Sequence, residues 1–423
     1  MTLIRRPVSA FDVFCLGVNA IIGSGIFLLP GKIDALLGAA AVWAFVACAI
    51  GLALIALTFA ELGSRFERDG GPYLYATAAF GPNAGFVVGW IAWATAVISW
   101  AAVANAIAAY LATLLPAVSG QAFARMIGAL VIVTLAAINY RGVRLGAGVS
   151  TGLTIAKSAP LILVVIATLP RLDPARLDVF HPPAGSWAGF PAALWMALFT
   201  CQGFEVPPVI AGEVRSARRA VPRAVVGALL FSVAIYILIQ LAVSSGPARL
   251  AGSDRPIADL ARAVAGPAGA TFVAVTALLS IVGYNAGTAL SASHYLTVLA
   301  EDGFLPARLA ARHPRFGTPA PAILVTAGTT AAFALAAVFE RLLAISVLAV
   351  VVQYASSTAA LLALRWRENR GDRRPQRLLL PALGLAVSLA FLSQARPGDV
   401  LVFLGVLAVG ITLAATKRLR RRG

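Results

Sequence analysis

The chain contains 423 residues, of which 60% are hydrophobic and only 12% are charged, and its mean hydropathy is +0.87. Soluble domains carry about 25% charged residues, so this composition excludes a soluble globular protein and predicts an integral membrane protein. The net charge of +17 does not indicate a nucleic-acid-binding protein, because the basic residues lie in short loops between apolar segments.

Apolar segments of roughly 20 residues predict membrane-spanning helices rather than barrel strands, which would show short alternating runs. Twelve such segments follow in chain order, near 10–37, 40–62, 84–114, 122–139, 147–169, 187–211, 224–245, 268–294, 321–338, 342–364, 378–393 and 398–415. The first is too long for a cleavable signal and lacks a small-residue cleavage site, so it is expected to remain as a helix. The three cysteines all lie inside apolar segments, so no disulfide framework is predicted.

The distribution of basic residues predicts the orientation of the chain. With the N-terminus inside, 24 of the 34 Lys and Arg residues lie in inner segments and 7 in outer segments. This bias fits the positive-inside rule and predicts a multi-pass protein of the inner (plasma) membrane with both termini in the cytoplasm. Residues 1–9 are then a cytoplasmic N-terminus and 416–423 a basic tail, and the arginine-rich stretches 365–377 and 417–422 are expected to face anionic lipid of the bilayer.

The first apolar segment is interrupted where a membrane helix should run unbroken. Gly23, Ser24 and Gly25 lie at its middle, and Pro30 with Gly31 is expected to punctuate its far end. An unpaired backbone amide in lipid costs several kcal/mol, so a broken helix survives only where a polar partner meets the break. Two interpretations follow: a ligand-binding backbone opened by glycine, or a small-residue packing notch between helices.

The fifth segment carries a buried cation, Lys157, between apolar runs. A charged lysine at the bilayer centre costs at least ~3 kcal/mol, so its presence there must be explained. One interpretation is that its long aliphatic stem carries the amine to the inner membrane interface. The functional alternative is favoured: a desolvated lysine can take up and release a proton as its surroundings alternate between wet and dry, which is what proton-coupled transport requires.

The sixth segment is interrupted at a position that matches the first. Gly203 is followed by Glu205, Pro207 and Pro208, which place a carboxyl and two residues without backbone donors at mid-membrane depth. Segments one and six enter the membrane from opposite sides, as expected for two inverted five-helix repeats, 10–169 and 187–364. Segments eleven and twelve, 378–415, are then accessory helices. Matched breaks point to a binding site at the midplane and favour binding over packing.

The other candidate residues flank the second break. Glu205 is a candidate for proton coupling or for binding a cationic group, or it merely satisfies the freed amides. Phe199 and Phe204 are candidates for a gate and a pocket wall, although aromatic residues in membrane helices more often only pack. The three histidines form no metal-ligand pattern with acids or cysteines, and no Walker-type glycine loop is present, so no enzyme, cofactor or metal is predicted.

Four stretches spread over residues 10–320 carry a resemblance to a known family, and they occur in the same order as in that family. They are Ile22-Gly23-Ser24-Gly25-Ile26-Phe27; Ala60-Glu61-Leu62 with Gly70-Gly71-Pro72-Tyr73-Leu74-Tyr75-Ala76; Gly203-Phe204-Glu205 with Gly212-Glu213 and Val221-Pro222-Arg223; and Ala300-Glu301-Asp302-Gly303-Phe304-Leu305-Pro306. The set resembles the amino acid–polyamine–organocation superfamily of secondary transporters, in particular its bacterial amino acid permeases. The resemblance implies an all-α polytopic fold of 12 transmembrane helices, with LeuT-like inverted repeats and two extra C-terminal helices.

The resemblance also implies a substrate clamp at the two breaks. The substrate carboxylate is expected on the amides of Gly23, Ser24 and Gly25, and the amino group on carbonyls around Ile21 or Ile22 and from Phe199 to Cys201. Phe199 is expected to close over the substrate, and Lys157 to occupy the place of a sodium ion in sodium-coupled relatives. The full predicted set is Ile22, Gly23, Ser24, Gly25, Ile26, Phe199, Thr200, Cys201, Gly203 and Phe204, with Lys157 and Glu205 for protons.

Two positions depart from the family pattern. His294 stands where an arginine is usual, and Glu301 where a basic residue is common, so gate roles are not carried onto them. The sequence therefore predicts a proton-coupled amino acid permease that works by alternating access. An obligate exchanger of amino acids or amines shares the whole fold and is the nearest alternative; a non-transporting amino acid sensor is a more distant one.

Overall fold

The computed structural model describes residues 8–68, 70–115, 120–141, 147–176, 178–180, 185–246, 250–368 and 376–422. These residues form helices joined by turns and loops, and one isolated bridge pairs Val8 with Val214. Most of the predicted N-terminal segment 1–9, and the side chains of the basic tail, lie outside the described part. The α-helices are α1 (Ala10–Ile21), α2 (Gly25–Leu28), α3 (Pro30–Leu37), α4 (Val42–Arg65), α5 (Pro72–Phe80), α6 (Pro82–Asn105), α7 (Ile107–Leu114), α8 (Gln121–Tyr140), α9 (Ala147–Thr168), α10 (Phe190–Cys201), α11 (Ala217–Ser245), α12 (Pro256–Glu301), α13 (Ala320–Ala336), α14 (Phe339–Glu368), α15 (Gln376–Leu392) and α16 (Pro397–Arg422).

The hydropathy and length of these helices confirm a polytopic helical membrane protein. Within the described ranges, nine helical stretches are long and apolar enough to cross a membrane, and three shorter apolar helices accompany them: Ser186–Cys201, Ala320–Ala336 and Gln376–Leu392. The count of twelve spanning helices, the inverted repeat and its boundaries stay predictions.

The interruption predicted in the first segment is present. A capping box between Ser9 and Asp12 starts α1, which ends at Ile21, and the helix resumes only at Gly25. The punctuation predicted at Pro30 and Gly31 coincides with a helix boundary. Helix α2 ends at Leu28, and Pro30 begins α3, because a proline has no amide hydrogen to lose in the first helical turn; α3 continues to Leu37.

The sixth segment is also broken. Helix α10 ends at Cys201, Gln202 is extended, and Gly203 has a φ of +126°, a conformation that favours glycine. A short 3₁₀ helix from Pro207 to Glu213 follows the turn. The paired prolines supply no amide donors there, so the segment cannot continue as a regular α-helix.

The packing of the helices places both breaks in the core. Helix α1 packs against α9 and α11, and α10 packs against α4 and α14. The chain after α4, which the sequence indicated only as a loop, contains the short helix α5. Helix α12 is kinked at Ala265 and Gly266, directly before a proline, so its membrane portion begins near Pro267.

Candidate functional site

The two broken helices lie in direct backbone contact, and a glycine on each makes the contact possible. A Cβ added to Gly203 would lie 2.5 Å from the carbonyl carbon and oxygen of Ala20. A Cβ added to Gly25 would lie 3.0 Å from Cα of Thr200 and 3.3 Å from the ring of Phe199. The structure therefore brings the predicted residues of both breaks into one site.

The first break presents backbone donors. Among the described residues, no acceptor is within hydrogen-bond distance of the amides of Ser24, Gly25 and Ile26. The Ser24 hydroxyl is fully buried and also has no partner. Successive amides that open a helical segment attract a negatively charged group. The break thus offers a site for a carboxylate, at Ser24 to Ile26 rather than at Gly23, whose amide donates to Ile21 at 2.8 Å.

The carbonyls at the end of α1 are already occupied. Lys157 Nζ donates to the carbonyl oxygens of Asn19 at 2.9 Å and Ile22 at 2.5 Å. The Tyr236 hydroxyl donates to the Ile21 carbonyl at 3.0 Å. Lys157 is only 1% exposed, so its amine ends at the break and does not extend to the interface. It fills the negative end of the first half-helix with a donor group.

The carbonyls at the end of α10 are open. Among the described residues, no donor lies within hydrogen-bond distance of the carbonyl oxygens of Phe199, Thr200 and Cys201. A helix C-terminus with free carbonyls attracts a cation. Two places were expected for a substrate amino group. The carbonyls at the end of α10 are free to accept hydrogen bonds, whereas those of Ile21 and Ile22 already have donors.

Glu205 closes the turn that follows the second break. Its Oε2 accepts hydrogen bonds from the Gly203 amide at 2.8 Å and the Tyr354 hydroxyl at 2.9 Å. This contact supports the interpretation that the carboxyl satisfies an amide freed by the break. In the part of the chain that the structure describes, no ion pair joins Glu205 to Lys157.

The two phenylalanines have different surroundings. Phe204 is fully buried, stacks on Tyr354 with ring centroids 5.0 Å apart, and packs against Phe59. Phe199 is 5% exposed and meets Phe339 of α14 at 5.7 Å and 90°. Phe199 therefore contacts α14 through an edge-to-face ring pair, whereas Phe204 packs between helices. The role of Phe199 as a lid over the substrate stays a prediction.

We expect Phe199→Ala and Phe339→Ala to weaken substrate binding about three- to tenfold each, since an edge-to-face pair contributes roughly 0.5–1.5 kcal/mol beyond its buried area. If the two rings act as one lid, the double variant will bind no more weakly than the weaker single variant. A Kd series over the four proteins measures the coupling. Strictly additive losses would show that the rings act separately.

An ion-pair latch lies beside this ring pair. Lys32 of α3 contacts Glu340 at 2.7 Å and Asp254 at 3.3 Å, and the Gly252 amide donates to the Gly31 carbonyl at 2.8 Å. Phe339 and Glu340 are adjacent in sequence, so the start of α14 contacts α10 through the ring pair and α3 through the ion pair. These contacts hold α3, α10 and α14 together at this end of the bundle.

A partly exposed stripe leads from the breaks toward the other end of the bundle. Tyr284, Thr288, Ser291 and Tyr295 recur at helical spacing on α12, and each is partly exposed. The stripe begins beside the first break, where the Tyr284 ring lies 3.4 Å from the Cβ position of Gly23. It marks the more accessible side of the site.

At the far end of the stripe, the Tyr73 hydroxyl of α5 donates to Asp302, just beyond the end of α12. Burial and this hydrogen bond raise the pKa of Tyr73, so the hydroxyl stays a donor. The contact ties α5 to α12, at the accessible end of the site.

Several residues of the site carry no sequence signal. Tyr236, Tyr284 and Tyr354 are tyrosines in long apolar helices, where aromatic residues usually only pack. Ser280, which donates to the Ile22 carbonyl at 3.3 Å, and Phe339 are equally inconspicuous. Their proximity to the breaks depends on helix packing, which residue spacing along one helix does not report.

A polytopic helical protein whose buried site is built from two interrupted helices has the architecture of a membrane transporter. The chain belongs to the amino acid permease family, whose model matches residues 8–414. The protein is accordingly a transporter and not an enzyme.

Similar proteins agree on the class but differ in cargo. An uncharacterized transporter of Mycobacterium tuberculosis is 31% identical, and the match covers 99% of this chain and 94% of the relative. The serine/threonine exchanger SteT of Bacillus subtilis is 26% identical, with 98% of each chain covered. A methylthioribose transporter of Bacillus subtilis is 27% identical over 75% of this chain and 72% of the relative.

Proposed function

We propose that this protein is a secondary active transporter that carries an amino acid across the bacterial inner membrane, and that uptake is coupled to protons. The free amides of residues 24–26 beside the free carbonyls of residues 199–201 carry the proposal. An α-amino acid has its carboxylate and its ammonium group on one carbon. Its binding site therefore needs hydrogen-bond donors directly beside hydrogen-bond acceptors. The two breaks supply that pair without charged side chains.

Alternating access is the proposed mechanism, and the different contacts at the two ends of the site support it. We assign the Lys32 latch to the outside and the α12 stripe to the cytoplasmic path, with both termini in the cytoplasm. Transport then requires the latch and the Phe199–Phe339 contact to open outward while the inner path closes. Rocking of membrane segments 1, 2, 6 and 7 against the remainder of two inverted five-helix repeats would provide this motion.

Lys157 is the proposed coupling residue. Its protonated amine joins α9 to two carbonyls of α1, so the charge of one side chain affects the position of the first half-helix. Removal from water favours the neutral amine, and access to water favours the ammonium form. A proton gained on one side and lost on the other would couple the helix movement to the proton gradient. Glu205, which holds the second break, is a weaker candidate for the same role.

Amino acid exchange is the second candidate function. The similarity to a serine/threonine exchanger along 98% of the chain favours it, and an exchanger needs the same clamp and the same two closures. The two modes differ in whether the empty transporter can return across the membrane. A sensor that binds without transport is a third, more distant possibility.

We expect purified protein in liposomes to accumulate a labelled amino acid when the outside is acidified. The substrate is first found by a thermal-shift screen of amino acids and polyamines, because a ligand of the native state raises the melting temperature. Counterflow then distinguishes the modes: efflux only with substrate outside indicates exchange. Binding without any movement would contradict both transport modes and support a sensor.

A further inference from the structure

A buried polar cluster lies at the second break, next to the free carbonyls of α10. Gln202 Nε2 is 3.2 Å from the hydroxyl oxygens of both Ser99 and Ser346. The two serine oxygens are 2.5 Å apart and join α6 to α14. All three side chains are at least nine-tenths buried, with exposures of 7%, 3% and 0%.

One polar end of this cluster has no partner. Gln202 Oε1 is buried and accepts no hydrogen bond from the described residues. Turning the amide over would exchange its two ends but would still leave one unpaired, since serine hydroxyls can donate or accept. A buried polar atom without a partner destabilises the protein, so such atoms in native sites usually meet a ligand or an ordered water.

The cluster is placed where a substrate side chain would reach it. Gln202 directly follows Cys201, the last of the three residues with free carbonyls. On the opposite side, Ser99 lies beside Tyr284, whose ring covers Gly23 of the first break. The cluster therefore connects the end of α10 with the Tyr284 ring at the first break.

The chemistry of the cluster selects a hydroxyl group. Its three members are neutral, so a charged side chain would be left without a counter-ion. A side-chain amide brings two donors and an acceptor to a place with one unpaired atom. A single hydroxyl donates to that atom and accepts from a serine, which satisfies every group.

We infer that Ser99, Gln202 and Ser346 form a side-chain subsite for a small hydroxyl-bearing amino acid. The inference rests on the proposed function and adds the substrate class. Helix–helix adhesion is the alternative role of such a cluster, because buried polar side chains also join membrane helices. The same two helices contain a suitable control, since Gln353 of α14 donates to Thr95 of α6 at 2.7 Å and is 2% exposed.

The test compares L-threonine with L-valine, which have nearly the same shape and differ by a hydroxyl. We expect the purified full-length protein to bind threonine about tenfold or more tightly than valine, measured by calorimetric titration. Serine and alanine form a second pair. Gln202→Met, which keeps the length but not the hydrogen bonds, is expected to reduce the threonine-to-valine ratio toward one through weaker threonine binding.

Two further variants complete the test, one as a matched control and one as a replacement for Gln202→Met. Gln353→Met makes the same change in the neighbouring polar pair and is expected to retain the ratio of the unmodified protein. Ser99→Ala is used if Gln202→Met does not fold, and is expected to lower the ratio in the same direction. Equal binding of threonine and valine by the unmodified protein would overturn the subsite while leaving amino acid transport intact.

The same fall in ratio for Gln353→Met and Gln202→Met would also overturn the subsite, since it would reflect general helix packing. Absence of binding or transport of any amino acid would instead overturn the proposed function, and the subsite with it.

Discussion

Lys157→Ala is expected to abolish the increase in amino acid uptake that acidification of the outside produces. The substitution removes the amine that contacts the first break and leaves the Asn19 carbonyl without its donor. The C-terminal end of α1 then loses its titratable link to α9, while the hydrogen bond from Thr151 to Asp12 at the start of α1 remains. Uptake into liposomes with an imposed proton gradient should fall to the level without a gradient, while exchange of substrate across the membrane persists.

Two matched variants separate coupling from simple loss of packing. Thr154 lies one turn before Lys157 and donates to the Cys15 carbonyl of α1 at 2.9 Å. Thr154→Val removes this hydrogen bond between the same two helices and is expected to keep the pH dependence. Lys157→Arg keeps a permanent charge that does not titrate, so it should bind substrate but lose accumulation.

Melting temperatures of all three variants show whether each is folded, because an unpaired buried carbonyl costs about 1–3 kcal/mol. Undiminished proton-driven accumulation by Lys157→Ala would rule out the coupling role. Loss of exchange as well as accumulation, in a folded variant, would show that Lys157 holds the break in place rather than coupling it to protons.

Gly203→Ala is expected to reduce transport at least tenfold and to lower the melting temperature. A Cβ there would lie 2.5 Å from the Ala20 carbonyl, and the φ of +126° is unfavourable for any residue with a Cβ. Backbone strain of this kind costs about 1–3 kcal/mol before the steric clash is counted. Because the clash is with backbone atoms of Ala20, no side-chain movement relieves it, and the two breaks would have to move apart.

Two other glycines divide this effect into its causes. A Cβ on Gly25 would meet Thr200 at 3.0 Å without a positive φ, so Gly25→Ala tests the close approach alone. Gly120 has a φ of +114° and no atom within 4 Å of its Cβ position, so Gly120→Ala tests the strain alone. We expect Gly25→Ala to impair transport and Gly120→Ala to lower only the melting temperature.

Substrate affinity, transport rate and melting temperature are measured for each glycine variant. If Gly120→Ala impairs transport as much as Gly203→Ala, backbone strain and not contact between the breaks explains the loss. If Gly203→Ala transports normally, the contact between the breaks is not required for function.

The breaks and the buried lysine were predictable from the sequence for a physical reason. Lipid offers no hydrogen bonds, so Gly23 to Gly25, the paired prolines and Lys157 each stand out against an apolar background. The helix boundary at Pro30 was predictable as well, because a proline suits the first turn of a helix and not its interior.

The partners of the breaks depended on the tertiary structure. A polytopic helical membrane protein, two interrupted segments and a buried cation could be predicted from the sequence, since each is set by composition and by local backbone chemistry. The packing of α1, α6, α9, α10 and α14 places Lys157 on the carbonyls of α1, leaves the carbonyls of α10 open, and brings Gln202 to two serines. Those contacts join residues far apart in the chain, and the spacing of apolar residues along a single helix contains no information about them.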